Sequence, residues 1–398
     1  MDYTFNTDVI YKNNLNIDAF SALFNNTSQC YKFYWFEALM HFISDETVDI
    51  PCDDIINEMI YEAWNTVTYY HLHLGPTING KSENFLEHAI GIISEEFPKL
   101  KGYLSREELN EAIKECDELI RYDRRHLMDY VPHRLLRPFF KNNNLKEGLS
   151  YIDNDSQRRL IAYMTNLTDD DKVLYYLVNS KENEIRVRVN YYWKEFLLDN
   201  YSIILSWIQY NKAQFVQARN PGVPGIIDKI NMENEDKRKL EQVRTLWKTI
   251  EEITGEPIRE IYTGDVINSN VLTIDHFIPR SYISNDELWN LIPMSKTLNS
   301  SKNNRLPKWE EFFLPFAEYQ FYMYKKVFID SGDYALVLKK KFDSCKRNNL
   351  NAIWALENLY TYENNRDSFI NILSSHMKPI YDSAVLQGYE YWDKQQVV

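Results

Sequence analysis

Leu272–Pro307 of the 398-residue chain reads LTIDHFIPRSYISNDELWNLIPMSKTLNSSKNNRLP. It sets Asp275 beside His276, then Asn290, then Asn299, Lys302 and Asn303, with Arg280 and Arg305 among them. These side chains suit hydrolysis of a phosphodiester. That reaction needs a base to generate the attacking hydroxide, charge stabilisation on the phosphate, and neutralisation of the leaving oxygen. A histidine changes charge near neutral pH, so His276 is the natural base. Asp275 offers Mg²⁺ a hard anionic oxygen and Asn299 a neutral one. Two protein ligands suffice, because that ion keeps several waters and takes further oxygens from phosphate. Lys302 and Asn303 share the helical face of Asn299, which makes Asn303 the rival ligand and Lys302 a phosphate contact. Arg280 and Arg305 are further phosphate candidates. Ordinary solvated surface is the competing reading for all three basic residues.

These residues need a strand, a loop, a second strand and a helix. Leu and Ile around Thr273 favour a strand that Pro279 stops. Ser281–Glu287 reads as a polar loop with Asn285 and Asp286 as turn formers. Leu288–Ile292 reads as the second strand, up to Pro293. Ser295 then suits the N-cap of a helix to about Asn303, with Pro307 beyond its end. Neighbours on an ideal strand point to opposite faces, so Asp275 and His276 converge only where the strand ends or distorts.

Asp275-His276, then Asn290, then Asn299, with the Asp-His-x-x-Pro opening and Trp289-Asn290-Leu291, resembles the HNH endonucleases of the ββα-metal fold. That family includes the HNH domain of RNA-guided CRISPR nucleases. The resemblance implies that Asp275 and Asn299 hold one divalent ion, Mg²⁺ or Mn²⁺. It implies that His276 activates water and that Asn290 fixes the loop carrying His276. It also implies DNA cleavage leaving 5′-phosphate and 3′-hydroxyl ends. Many such proteins carry paired cysteines for a structural zinc. Those are missing here, the Tyr262–Asp265 turn stands about where the first pair would be, and no structural zinc is expected. Flanking helices must then brace the unit. The whole chain is also similar to bacterial proteins in which an HNH unit follows a long helical region. That implies a role in anti-phage defence or restriction and a possible partner protein. Two other readings are a nucleic-acid-binding or regulatory subunit and an RNase, since nothing in the motif reads a 2′-hydroxyl.

The rest of the chain reads as helical scaffold, with helices expected, among others, over Glu83–Glu96, Ser105–Arg121, Glu195–Val216 and Ala352–Tyr360, and with the stretch Arg121–Arg137 broken at Pro132. Hydrophobic residues make up 44% and aromatics 15%, enough for sizeable cores. Only 11 glycines and 13 prolines favour long helices over tight turns. The expected fold is mainly α-helical, with a ββα-metal unit in the C-terminal half and one β-hairpin, Lys172–Trp193, in the N-terminal region. Asn220-Pro-Gly-Val-Pro-Gly225 suggests a boundary. This gives a helical region over 1–219, a linker plus nuclease unit over 220–310, and bracing helices over 311–398. The net charge of -13 requires any nucleic-acid surface to be locally basic. Arg121–Arg137 and the run Lys339, Lys340, Lys341, Lys346, Arg347 are candidates, against solvated faces. His71 and His73 could share a strand face and bind metal. Cys30, Cys52, Cys116 and Cys345 form no C-x-x-C pair and fit a reducing cytosol. Met1–Ile10 lacks an apolar core, so no signal peptide, no membrane span and a cytoplasmic location are expected.

Overall fold

Tyr31–Ser44 (α1) is apolar nearly all round, and such a helix belongs inside a bundle. Phe33, Tyr34, Trp35, Phe36, Leu39 and Met40 are all buried. Around it pack Cys52–Thr68 (α2), Asp117–Leu135 (α5) and Tyr201–Arg219 (α7), with Phe85–Glu96 (α3), Arg106–Glu115 (α4) and Arg137–Asn142 (α6) beside them. In this computed structural model the described residues are 5–44, 49–78, 81–82, 84–101, 105–142, 157–180, 184–230, 240–268, 271–330, 332, 334–347 and 354–393. The chain divides into two compact units, Met1–Pro221 with Ile226–Met232, and Gly222–Gly225 with Glu233–Val398. No helix of the described residues is long and apolar enough to cross a membrane.

Local signals explain several elements of the first unit. Ser105 and Glu108 cap α4 reciprocally. The expected helix over Ser105–Arg121 is nevertheless two helices, parted at Cys116. The expected break at Pro132 is absent, since α5 runs through it. The hairpin forms as Tyr175–Asn179 (β2) and Ile185–Val189 (β3), and Asp49–Pro51 (β1) adds to the outer side of β3. Arg188 on β3 makes two 2.6 Å hydrogen bonds to Asp49, and Arg186 pairs with Glu184. The helix expected over Glu195–Val216 is interrupted at Asn200, whose buried side chain bonds Asn6. Glu83 and residues 352–353, included in two expected helices, lie outside the described residues.

The second unit surrounds a two-stranded antiparallel sheet, Leu272–His276 (β4) and Leu291–Ser295 (β5). Glu241–Thr254 (α8) and Trp309–Phe328 (α11) pack near it, followed by Ala335–Arg347 (α12) and Arg366–Leu386 (α13). Two expectations need correction. The polar loop contains a helical turn, Arg280–Ile283 (α9). Leu288–Asn290 is a 3₁₀ turn, so the second strand starts later and includes Pro293. Pro293 fits because of the register. Phe277 N bonds Asn290 O at 2.8 Å and Lys296 N bonds Val271 O at 3.2 Å. The hydrogen-bonded pairs therefore fall on alternate positions, and Ile274 opposite Pro293 is a non-hydrogen-bonded pair. The nitrogen of Pro293 faces away from β4 and breaks no ladder bond.

Aromatic packing braces this unit where no cysteine pair exists. Tyr262 meets Phe312 and Trp392 with ring centroids 5.1 and 4.9 Å apart. Phe277, just after β4, lies 4.5 Å from Phe316 of α11. Leu306 bonds the returning C-terminal segment at Glu390 O, 2.9 Å, and Trp392 N, 2.7 Å.

Candidate active site

Thr273 and Asp275 share one face of β4, and Leu272, Ile274 and His276 the other. Lys296–Lys302 (α10) follows β5 and supplies the partners for the first face. Asn299 Nδ2 donates to Thr273 Oγ1 at 3.0 Å, and Thr273 Oγ1 donates to Met294 O at 2.7 Å. One helical turn on, the buried Lys302 ammonium lies 2.9 Å from Asp275 Oδ2. It also donates to the outward-facing carbonyl of His276 at 2.7 Å.

His276 closes β4, opposite Leu291. Its imidazole is buried, and Nε2 lies 2.9 Å from Asp286 Oδ1. Arg280 Nε lies 3.4 Å from the same oxygen. The turn after His276 is clamped by Asn290, whose Oδ1 accepts from Ile278 N and whose Nδ2 donates to Ile278 O, both at 2.8 Å. Asn290 is fully buried, so this amide replaces backbone pairing that water cannot supply there. Asp275 and His276 thus have separate partners, one toward α10 and one toward the segment around Asp286.

Asp275, His276, Asn290, Asn299 and Lys302 come together in this one unit. Lys302 is turned inward rather than toward a flanking phosphate. Arg305 is half-buried and pairs with no described carboxylate. Asn303 is exposed at the end of α10 with φ 46°, away from the strand face that Asn299 meets. Asp286 had been only a turn former in the sequence; its type ten positions after a histidine is too weak a signal to mark it. Glu260 was also missed. Its Oε2 accepts from Ser295 N at 2.9 Å, and burial pushes its carboxyl up.

For a divalent ion, Asp275 and Asn299 offer hard oxygens, and an ion at Asp275 Oδ2 would compete with the Lys302 ammonium 2.9 Å away. Another group that could hold an ion is His41, Glu58 and Glu62 in the first unit. His41 Nδ1 lies 3.2 Å from Glu58 and 2.7 Å from Glu62, and Arg106 forks onto Glu58. The His71 and His73 expectation is corrected: they lie in a loop, His71 has φ 52°, and His73 Nδ1 bonds Glu87 at 2.9 Å.

The basic runs are dispersed. Arg121 pairs with Glu118, Arg124 with Asp53 and Asp117, and Arg125 with Asp129. Lys339 Nζ sits 3.9 Å above the Phe328 ring, Lys340 is exposed and Lys341 half-buried. Successive helical residues point about 100° apart, so these three do not share a face. The side chains of Lys346 and Arg347 lie outside the described part.

No curated protein and no solved structure matches the chain. The family model of the HNH endonucleases matches residues 260–308, which span the Glu260 turn, both strands and α10. With Asp275 and His276 on β4, Asn290 in the 3₁₀ turn before β5 and Asn299 on α10, the chain carries an HNH endonuclease domain over these residues.

Proposed function

We propose that this domain is a divalent-metal-dependent endonuclease that hydrolyses phosphodiester bonds in DNA. The observation that supports it is the placement of Asp275 and Asn299: Asp275 lies on the same strand face as the Thr273 hydroxyl that anchors Asn299, and its carboxylate is held by the Lys302 ammonium 2.9 Å away. Asp275 and Asn299 would hold Mg²⁺ or Mn²⁺, and such an ion supplies positive charge to the phosphate and to the departing 3′ oxygen. With Nε2 held by Asp286, His276 takes the proton of the attacking water at Nδ1. Asp286 keeps the ring oriented. Asn290 fixes the turn that follows, and Arg280, Arg305 and Lys340 receive neighbouring phosphates. A substrate that meets both Asp275 and His276 must lie across the end of β4. The products carry 5′-phosphate and 3′-hydroxyl ends.

The test is a plasmid-nicking time course with Mg²⁺, Mn²⁺ or EDTA, run beside a matched RNA. Nicking should need the ion. His276→Ala should lose about 10²–10⁴ in rate while keeping its far-UV spectrum. A well-folded His276→Ala protein that nicks at the wild-type rate overturns the mechanism. Cleavage of the RNA alone would make the enzyme an RNase.

A further inference from the structure

The basic run of α5 divides into two halves. Arg121, Arg124 and Arg125 meet carboxylates. Arg134, at the end of α5, has no carboxylate of a described residue within ion-pair distance and instead lies over the Tyr130 ring, 4.4 Å from its centroid. It opens onto a cavity of about 210 Å³ that Arg137 of α6 and Lys32 of α1 also line. The remaining wall is the polar turn Asn26–Gln29, with Tyr31, Tyr130 and Val131. Three cations from three helices therefore converge on one recess, and among the described residues that line it none is acidic.

That arrangement costs the free protein energy, because like charges repel more strongly where burial removes water. Lys32 is tethered in place, donating to the carbonyls of Leu23 and Asn25 at 3.1 Å each. Burial, with the charges of Arg137 and Arg134, lowers its ammonium to about 8. An anion in the cavity would relieve both costs. A guanidinium fork on Arg134 and the Lys32 ammonium suit an anion with several equivalent oxygens better than a carboxylate with two. A terminal phosphate presents three such oxygens, and the Ser28 hydroxyl can donate to it.

We propose that this cavity of the first unit is a binding site for a phosphate monoester, either free phosphate or the terminal phosphate of a small molecule such as a nucleotide. A terminal group reaches a recessed ammonium more readily than the internal phosphates of a polymer do. The site lies outside the HNH residues and gives the helical unit a ligand of its own.

The experiment is calorimetric titration of the full chain in EDTA with inorganic phosphate and, separately, with AMP. Arg134→Gln, Lys32→Gln and the charge-matched control Lys12→Gln are titrated alongside. Wild type and Lys12→Gln should take up one equivalent, and each cavity variant should bind at least tenfold more weakly. Tighter AMP than phosphate identifies a nucleotide-like ligand; equal affinities identify free phosphate. Arg134→Gln should melt no lower than wild type without ligand, since it removes a repulsion, and should lose the phosphate-induced rise in melting temperature. This last readout separates a ligand contact from a structural one. Absence of saturable uptake of either probe overturns the proposal, as does uptake unchanged in both cavity variants. Binding of a single-stranded oligonucleotide alone, lost in the same variants, also overturns it and makes the recess a nucleic-acid contact.

Discussion

Asn299 and Asn303 are the same residue type one turn apart, and their surroundings separate them. Asn299 spends its amide donors on Thr273, which leaves its carbonyl oxygen for an ion. Asn303 sits exposed at a left-handed helix end. Asn299→Ala should therefore abolish most metal-dependent cleavage, and Asn303→Ala should change it little. Thr273→Val, which removes only the anchor, should cost about 10–100-fold in metal affinity or activity, as loss of an outer contact typically does. Titrating Mn²⁺ against the cleavage rate reads all three. Mild Asn299→Ala with severe Asn303→Ala would shift the ligand by one turn. The proposed ligand pair came from intervals along the chain, which survive folding. Asp286 stayed hidden because its meeting with His276 depends on how α9 turns the intervening chain.

At the scale of elements, α11 supports β5 through one side chain. Gln320 Nε2 donates to Leu291 O at 2.6 Å and to Leu288 O at 3.2 Å, with the whole side chain buried. Gln320→Leu keeps the volume and leaves both carbonyls without that donor. A buried group left unsatisfied costs about 1–3 kcal/mol, so the urea midpoint should fall accordingly. An unchanged midpoint would show that the brace lies in the aromatic packing of Phe277 and Phe316 alone. The helices were legible from periodicity. The start of β5 was misplaced because Leu288, Trp289 and Leu291 have strand-like character, while the Asn290 clamp curls the first of them into a 3₁₀ turn. Pro132 misled for a similar reason: propensity predicts a break, but burial of Val131, His133 and Leu135 in the bundle holds α5 continuous.

At the scale of the molecule, the first unit carries its own pH response. His41 donates to the Glu58 and Glu62 carboxylates, which push its imidazole up to about 10 from an ordinary 6.5. The stabilisation is complete below the unfolded value and is lost as pH rises toward the folded one. The stability gap between wild type and His41→Gln should therefore narrow as pH rises from 6.5 to 8. Lys32 and Lys229, lowered to about 8 and about 7, act oppositely in both proteins, so the difference between the two cancels them. Parallel urea midpoints for both proteins would refute the assignment. The sheet of the second unit has a different consequence for the whole. On the outward edge of β5, Leu291 O is taken by Gln320, Ser295 N by Glu260, and Pro293 has no N–H to offer; at the end of β4, His276 O is taken by Lys302. An exposed strand edge is a template for another chain. Side chains occupy these positions of β5, so a partner or second copy meets an interrupted ladder there, and self-association by strand addition along β5 is disfavoured at the very hairpin that carries the HNH motif.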